Sequence, residues 1–147
     1  MLGWVLETDV TRKEERLMAE YLTQDWLDEF RTVSNATQPE RPGVSARMQY
    51  TVTGGPAGDV SYFWVIVDGT LTEAQLGATS DTDFTITMGY DDAVKVQKGE
   101  VDTNAAFMQG KMKVSGNMAK LLSLLPLTNS PEYKKLEEEM RATTTYA

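Results

Sequence analysis

The feature that most constrains the fold is residues 60–67 (VSYFWVIV), which are apolar at both odd and even positions. A strand that is apolar on both faces is typical of the middle of a sheet covered on each side. Asp68-Gly69 follows directly, and this dipeptide is a strong signal for a two-residue hairpin turn. The more polar residues 70–77 are therefore predicted to return as an antiparallel edge strand.

Three further segments alternate between apolar and polar residues, as a strand with one buried face does. Residues 44–53 place Val44, Ala46, Met48, Tyr50 and Val52 on one face. Residues 84–88 and 111–115 alternate in the same way. The sequence therefore predicts five strands, and the polar face of the last one carries Lys111 and Lys113.

Helical patterns lie mostly at the two ends of the chain. Thr11 and Glu14 form a capping box, which predicts the start of a helix with apolar residues at every fourth position: Met18, Leu22, Trp26 and Phe30. Shorter helices are predicted over 90–98, 103–109 and 118–125. Ser130-Pro131 is expected to open a last helix, with Tyr133, Leu136 and Met140 on its apolar face.

This order of elements predicts an α+β fold in which helices pack on one face of a five-stranded sheet. Residues 11–147 are expected to form this single domain, and residues 1–10 an N-terminal extension. The segment MLGWVLETDV lacks the basic start and the cleavage site of an export signal. No window is apolar over the length of a membrane span, so a cytoplasmic location is expected.

The absence of cysteine and histidine excludes several chemistries. Thiolate nucleophiles, disulfides, zinc fingers and imidazole general bases cannot be built from this chain. We therefore predict no catalytic residue, no metal site and no cofactor. The formal net charge is -8, which argues against nucleic acid as a partner because phosphate binding needs a concentrated basic surface.

Residues 105–127 (AAFMQGKMKVSGNMAKLLSLLPL) stand apart, because they contain three lysines and no acidic residue. The short helix predicted here is apolar nearly all round, so it either fills the core or lines an apolar cavity. The pattern alone favours the core. The flexible methionines of the second half favour a cavity that adapts to its ligand: Met88, Met108, Met112, Met118 and Met140.

The strings DFTITM (83–88), KGEVD (98–102), AFMQGKMKV (106–114) and GNM (116–118) resemble the sterol carrier protein-2 (sterol-transfer) family. The resemblance implies a largely antiparallel five-stranded sheet with helices on one face, enclosing an apolar tunnel. It implies binding and transfer of a fatty acid, fatty acyl-CoA or sterol without chemistry, by a monomer or homodimer. A transient contact with a membrane or a lipid-metabolising enzyme is a further implied partnership. Gly110 and Gly116 would serve backbone geometry, and the implied lipid-binding residues are Phe107, Met112, Met118, Leu121, Leu122 and Leu125.

Two departures from the family are visible. The chain is strongly acidic, unlike the basic eukaryotic members. It also ends Thr145-Tyr146-Ala147, which is not a peroxisomal tripeptide.

Other interpretations remain open at this stage. An exposed apolar groove would suit a protein–protein interaction or dimerisation module. A carboxylate-based isomerase or hydrolase would need its acid–base group among Asp81, Asp83, Asp91 and Asp92. Trp26 and Phe30 fit a cavity wall or an ordinary helix–sheet contact, and the last helix fits a mobile lid or a docked element. Lys111 and Lys113 suit an anionic head group or simply the wet face of a strand.

Overall fold

The computed structural model of the protein describes residues 18–146. Its helices, numbered along the chain, are α1 (Gln24–Thr37), α2 (Tyr90–Gln97), α3 (Thr103–Met108), α4 (Met118–Ser123), α5 (Leu125–Thr128) and α6 (Pro131–Thr143). Its strands are β1 (Ala19–Glu20), β2 (Ala46–Gly55), β3 (Gly58–Val67), β4 (Thr70–Leu76), β5 (Phe84–Gly89), β6 (Lys113–Gly116) and β7 (Thr144–Thr145).

The main sheet has five strands in the order β4-β3-β2-β5-β6. The pairing of β2 with β5 is parallel and the other pairings are antiparallel. β3 is interior and β4 lies at an edge, as predicted. The hairpin between them turns at Asp68 (φ 50°) and Gly69 (φ 82°). Positive φ at both central residues is what a type I′ turn requires, which confirms the Asp-Gly signal.

The helices pack on one face of this sheet. Trp26 and Phe30 of α1 are buried against the aromatic side chains of β3. The ring of Trp26 meets Tyr62 edge-on at 5.6 Å, and the ring of Phe30 stacks on Trp64 at 4.5 Å between centroids. Such pairs add directional attraction to the burial of apolar area. The predicted α+β class and sheet are therefore confirmed.

α6 is docked on this helical layer. Leu136 and Met140 are buried, at 0% and 3% exposure. The chain after α6 continues into β7, which pairs in parallel with β1. Ser130 caps the helix by accepting a hydrogen bond from the backbone N–H of Tyr133, and Pro131 follows it, as the sequence predicted.

The prediction of a continuous first helix is wrong at Met18 and Leu22. Ala19–Glu20 is extended because it pairs with β7, and Leu22 has φ 68°, which no helix accommodates. The helix starts at Gln24, with the Thr23 hydroxyl accepting from the backbone N–H of Trp26 at 3.2 Å. The capping box at Thr11 and Glu14 and the predicted extension 1–10 lie outside the described residues.

Two other boundaries differ from the sequence prediction. The helix expected over 118–125 divides into α4 and α5 at Leu124, and Pro126 stands in the first turn of α5. Proline has no N–H for the helical ladder, and its ring disfavours continuation of the preceding turn. Lys111 and Met112 precede β6 instead of belonging to it. No helix between residues 18 and 146 has the length and apolar character needed to cross a bilayer.

Candidate functional site

A cavity of about 430 Å³ lies between the sheet and the helices. Ligand pockets in proteins typically measure about 300–1,000 Å³, so the space suits a small molecule. Neighbouring strands line its sheet side at matching register: Tyr50 pairs with Ile86 across β2 and β5, and Ile86 with Val114 across β5 and β6. The full sheet side comprises Met48, Tyr50, Trp64, Ile66, Gly69, Leu71, Phe84, Ile86 and Val114.

The helical side comes from five helices and the segments next to them. α1 presents Phe30, Ser34 and Gln38 at intervals of four residues, which places them on one face of that helix. The other helices, with the residues that flank them, complete the lining: Thr103, Asn104, Phe107, Met108, Met112, Leu121, Leu122, Leu124, Leu125, Leu127, Thr128 and Tyr133.

The structure brings most of the sequence-predicted site residues together. Phe107, Met112, Leu121, Leu122 and Leu125 line the cavity. Met118 is not among the lining residues and is 41% exposed. Met118 begins α4, one turn before Leu121 on the same side of the helix, so its position along the helix axis, not its direction, separates it from the lining.

The sequence-based site missed the sheet side entirely. The alternation of residues 44–53 already placed Met48 and Tyr50 on one face, and that face is the one the helices cover. The signal for these two residues was therefore present. Phe30 also lines the cavity, whereas the fully buried Trp26 does not.

The mouth of the cavity is formed by apolar residues of α3 and α4. Phe107, Met108 and Leu122 line the cavity and are also 38%, 84% and 54% exposed. Exposed apolar side chains that adjoin a pocket mark a surface for interaction. The sequence from residue 103 to residue 131 contains lysines and no acidic residue. Of these lysines, Lys120 stands on α4 together with the exposed Leu122, whereas Lys113 alternates with the cavity-lining Val114 and lies on the other face of the sheet.

The lysines of this segment have different surroundings. Lys111 Nζ lies 3.9 Å from a carboxylate oxygen of Asp92, and both side chains are about one-third exposed. Lys113, at the start of β6, is exposed. Exposed ion pairs contribute little to stability, so these lysines remain available to a negatively charged surface.

None of the described residues that line the cavity carries a charge. The four carboxylates considered from sequence lie elsewhere. Asp83 accepts a hydrogen bond from the backbone N–H of Arg47 at 2.8 Å, and Asp81 faces the Arg47 guanidinium at 3.9 Å. Asp91 and Asp92 stand in the first turn of α2, where negative charge stabilises a helix. Their surroundings indicate structural roles.

Three polar groups of the lining are poorly satisfied: two tyrosine hydroxyls and the indole N–H of Trp64, which is buried without a hydrogen-bond partner among the described residues. The Tyr50 hydroxyl donates to the thioether sulfur of Met48 at 3.5 Å, a weak acceptor. The Tyr133 hydroxyl has no hydrogen-bond partner among residues 18–146. Burial raises the pKa of both phenols, and the nearby Tyr50 raises the pKa of Tyr133 further. Both therefore stay protonated at neutral pH and can donate.

Comparison with known proteins gives a consistent result. A family model described as the SCP-2 sterol transfer family matches residues 27–128. Sterol carrier protein 2 of Gallus gallus is 31% identical over 87 residues, which are 59% of this chain and 16% of that protein. The chain thus spans a small part of the length of this curated relative.

Solved structures share the fold. A crystal structure of sterol carrier protein 2 has a TM-score of 0.63 at 17% identity, and the match covers 84% of this chain and 99% of that chain. The solution structure of palmitated SCP2L2 from Aedes aegypti has a TM-score of 0.57 at 18% identity, covering 71% of this chain and 92% of that chain.

Proposed function

The chain belongs to the SCP-2 sterol transfer family, and we propose that it binds one long-chain lipid in the cavity between sheet and helices and carries it without chemistry. The observation that supports this proposal is the lining itself, which is apolar over most of its surface and carries no charge among the described residues. Burial of a twelve-carbon chain would contribute about 10 kcal/mol gross, at ~0.8 kcal/mol per methylene. Ordering of the chain and loss of its free motion would offset part of this.

An acyl chain or a sterol fits such a lining better than a polar substrate does. The Aedes aegypti relative is described as palmitated, which supports the acyl chain as one ligand class. We propose that Phe107, Met112, Leu121, Leu122 and Leu125 contact the bound chain. Met118, which is exposed and outside the lining, is expected to contribute little.

The absence of chemistry is part of the proposal. Acid–base catalysis would need a titratable group in contact with the bound molecule. The cavity offers two phenols, and their raised pKa values keep them protonated. The carboxylates Asp81 and Asp83 bind Arg47 instead. A carrier role needs none of these groups to react.

The mouth suggests how lipid would be loaded and released. Met108 and Leu122 are exposed, and Lys120 stands on the same helix as Leu122. Apolar side chains insert into a bilayer surface, and each nearby lysine contributes roughly 1 kcal/mol on an anionic membrane. We expect the mouth to dock on anionic membranes during transfer.

Titration of delipidated protein with a fluorescent fatty acid tests lipid binding. Saturable one-to-one binding, reversed by unlabelled fatty acid, acyl-CoA or sterol, is expected, and the order of the competitors ranks the ligand classes. Lack of saturable binding of any of these lipids would refute the carrier proposal.

Docking is tested by the rate of lipid transfer to vesicles of anionic or zwitterionic composition. Lys120→Glu, on the same helix as the mouth residue Leu122, should slow transfer to anionic vesicles and leave equilibrium binding of the lipid unchanged. Lys134→Glu, on α6, is the matched control because it changes charge outside residues 103–131. Equal rates for both variants would contradict docking through the mouth.

A further inference from the structure

The polar groups of the cavity differ in how well they are satisfied. Gln38 donates to the backbone carbonyl of Glu132 at 2.9 Å. Asn104 donates to the side-chain oxygen of Asn129 at 2.8 Å, and Thr128 donates to the carbonyl of Leu125 at 3.2 Å. These groups therefore have protein partners. Buried polar groups normally do, so those that lack one call for an explanation.

The hydroxyls of Tyr50 and Tyr133 are poorly satisfied in this way, and the indole N–H of Trp64, which also lines the cavity, is buried without a partner among the described residues. The two tyrosine rings come from β2 and α6, which lie on opposite sides of the cavity, and both side chains line it. The sulfur of Met48 is the only partner of the Tyr50 hydroxyl, and the Tyr133 hydroxyl has none within residues 18–146. A third hydroxyl, on Ser34, is 6% exposed and also lines the cavity without a described partner.

The position of the Tyr50 ring is fixed by its neighbours. It stacks on Tyr62 with centroids 5.0 Å apart and planes inclined by 8°, and its centroid lies 5.0 Å from that of Trp64. A ring held on two sides keeps its hydroxyl in one place, so the donor is preorganised for an acceptor in the cavity. The mouth of the cavity is formed by other elements, α3 and α4.

No charged side chain lines the cavity among the described residues, and the charge near Tyr133 is negative, since the Glu137 carboxylate adds to burial in raising the pKa of that phenol. Arg41 contacts the lining residue Gln38 but is itself outside the lining. Its guanidinium donates to Gln38 and to Ser130, and it faces Glu132 at 3.6 Å. An ionised carboxylate buried beside the phenols would have no free counter-charge, and burial of an unpaired charge is costly.

We propose that Tyr50 and Tyr133 form an internal anchor that binds the oxygen of an uncharged lipid, an alcohol or an ester carbonyl, with its chain directed towards the mouth. The proposal rests on the proposed lipid-binding function and specifies its ligand class. Phenol hydroxyls can donate hydrogen bonds to an alcohol or carbonyl oxygen without any charge being buried. An ionised carboxylate placed beside them would be buried without a counter-charge, so a fatty acid is selected against at the anchor and is expected to keep its head group at the mouth, away from the phenols.

The test uses three sixteen-carbon ligands that differ only at the head: hexadecanol, methyl hexadecanoate and hexadecanoate at a pH where it is ionised. Each displaces a dansyl-labelled fatty acid from delipidated full-length protein. The variants are Tyr50→Phe and Tyr133→Phe, which remove only the hydroxyl. Tyr146→Phe is the matched control, because Tyr146 is a partly buried tyrosine outside this cavity.

The parent protein should bind the alcohol and the ester at least about tenfold more tightly than the ionised acid. Each cavity variant should weaken alcohol and ester binding by about fivefold to tenfold, the usual effect of one hydrogen bond, and leave the acid unchanged. Tyr146→Phe should change none of the three.

Three results would overturn the anchor. These are equal binding of the acid and the alcohol by the parent protein, an unchanged preference in the cavity variants, and an equal weakening of all three ligands by those variants. In each of these cases lipid binding itself would stand. Failure of all three ligands and of the labelled fatty acid to bind would instead refute the carrier function together with the anchor.

Discussion

A tryptophan placed inside the cavity should shorten the lipid that the protein can hold. Leu121 of α4 lines the cavity, and its side chain is half-buried. Leu121→Trp adds about six heavy atoms, enough to occupy the room of about four methylenes. At ~0.8 kcal/mol per methylene this removes about 3 kcal/mol of burial, or roughly a hundredfold in affinity. A sixteen-carbon chain should show this loss in a fluorescence titration.

The chain itself provides a matched control. Met118 stands on the same helix, is 41% exposed and does not line the cavity. Met118→Trp adds the same bulk as Leu121→Trp and should leave affinity for the sixteen-carbon chain within about twofold, because it displaces no buried methylene. An eight-carbon chain should bind Leu121→Trp almost as well as it binds the parent, which separates lost space from a damaged fold.

Two outcomes would refute this reasoning. Unchanged affinity of Leu121→Trp for the sixteen-carbon chain would place the ligand elsewhere. An equal loss of affinity in both variants would assign the effect to the surface of α4. Urea denaturation of each variant shows whether overpacking has cost stability.

Three further predictions concern the scaffold. Leu136→Ala should lower the free energy of unfolding by about 3 to 5 kcal/mol, since Leu136 is 0% exposed in the docked α6; a loss under about 1 kcal/mol in urea denaturation would mean that α6 is not docked. Gly110→Ala (φ +75°, open space) should cost about 1 kcal/mol, whereas Gly116→Ala should cost more than roughly 3 kcal/mol, because its Cβ would lie 2.6 Å from the Asp83 carbonyl oxygen. Equal costs for the two glycine variants would contradict that contact. Burial raises the pKa of Glu137 from its ordinary 4.5, so the folded state binds more protons than the unfolded state, and stability falls as pH rises through the window above 4.5. Glu137→Gln should therefore be more stable than the parent protein near pH 7 and equally stable below the folded and unfolded pKa values of Glu137. A less stable Glu137→Gln near pH 7 would disprove the raised pKa.

Local patterns predicted most of the sheet. The alternation of residues 44–53 and the Asp68-Gly69 turn depend on neighbours along the chain, and both appear in the structure as predicted. The strand order depends on distant residues. The parallel pairing of β2 with β5 brings Tyr50 beside Ile86, and no short-range signal specifies such a partner.

The error in the first helix has the same origin. Met18 and Leu22 continue the four-residue spacing of Trp26 and Phe30, so the pattern favoured one helix throughout. The extended backbone at Ala19–Glu20 is selected by pairing with Thr144–Thr145, far away in sequence. Tertiary pairing of this kind overrides helical periodicity.

The candidate site was predictable on one side only. Five of the six residues suggested by the family motif line the cavity on its helical side. The phenols of Tyr50 and Tyr133 could not be paired from sequence, because the register of β2 and the docking of α6 bring them to one space. Met118 shares a helix face with Leu121 and Leu122, but it stands in the first turn of α4 and does not reach the cavity.

The measurement that tests the central claim most directly is a set of intermolecular NMR contacts between a bound sixteen-carbon lipid and the methyl groups of the protein. We expect contacts from the lipid chain to Ile86 on the sheet side of the cavity and to Leu121 and Leu125 on the helical side. We expect none to Val65, which alternates with the cavity-lining Trp64 and Ile66 and so lies on the other face of the sheet. Contacts to Val65 without contacts to Ile86 would place the lipid outside the cavity and contradict the account.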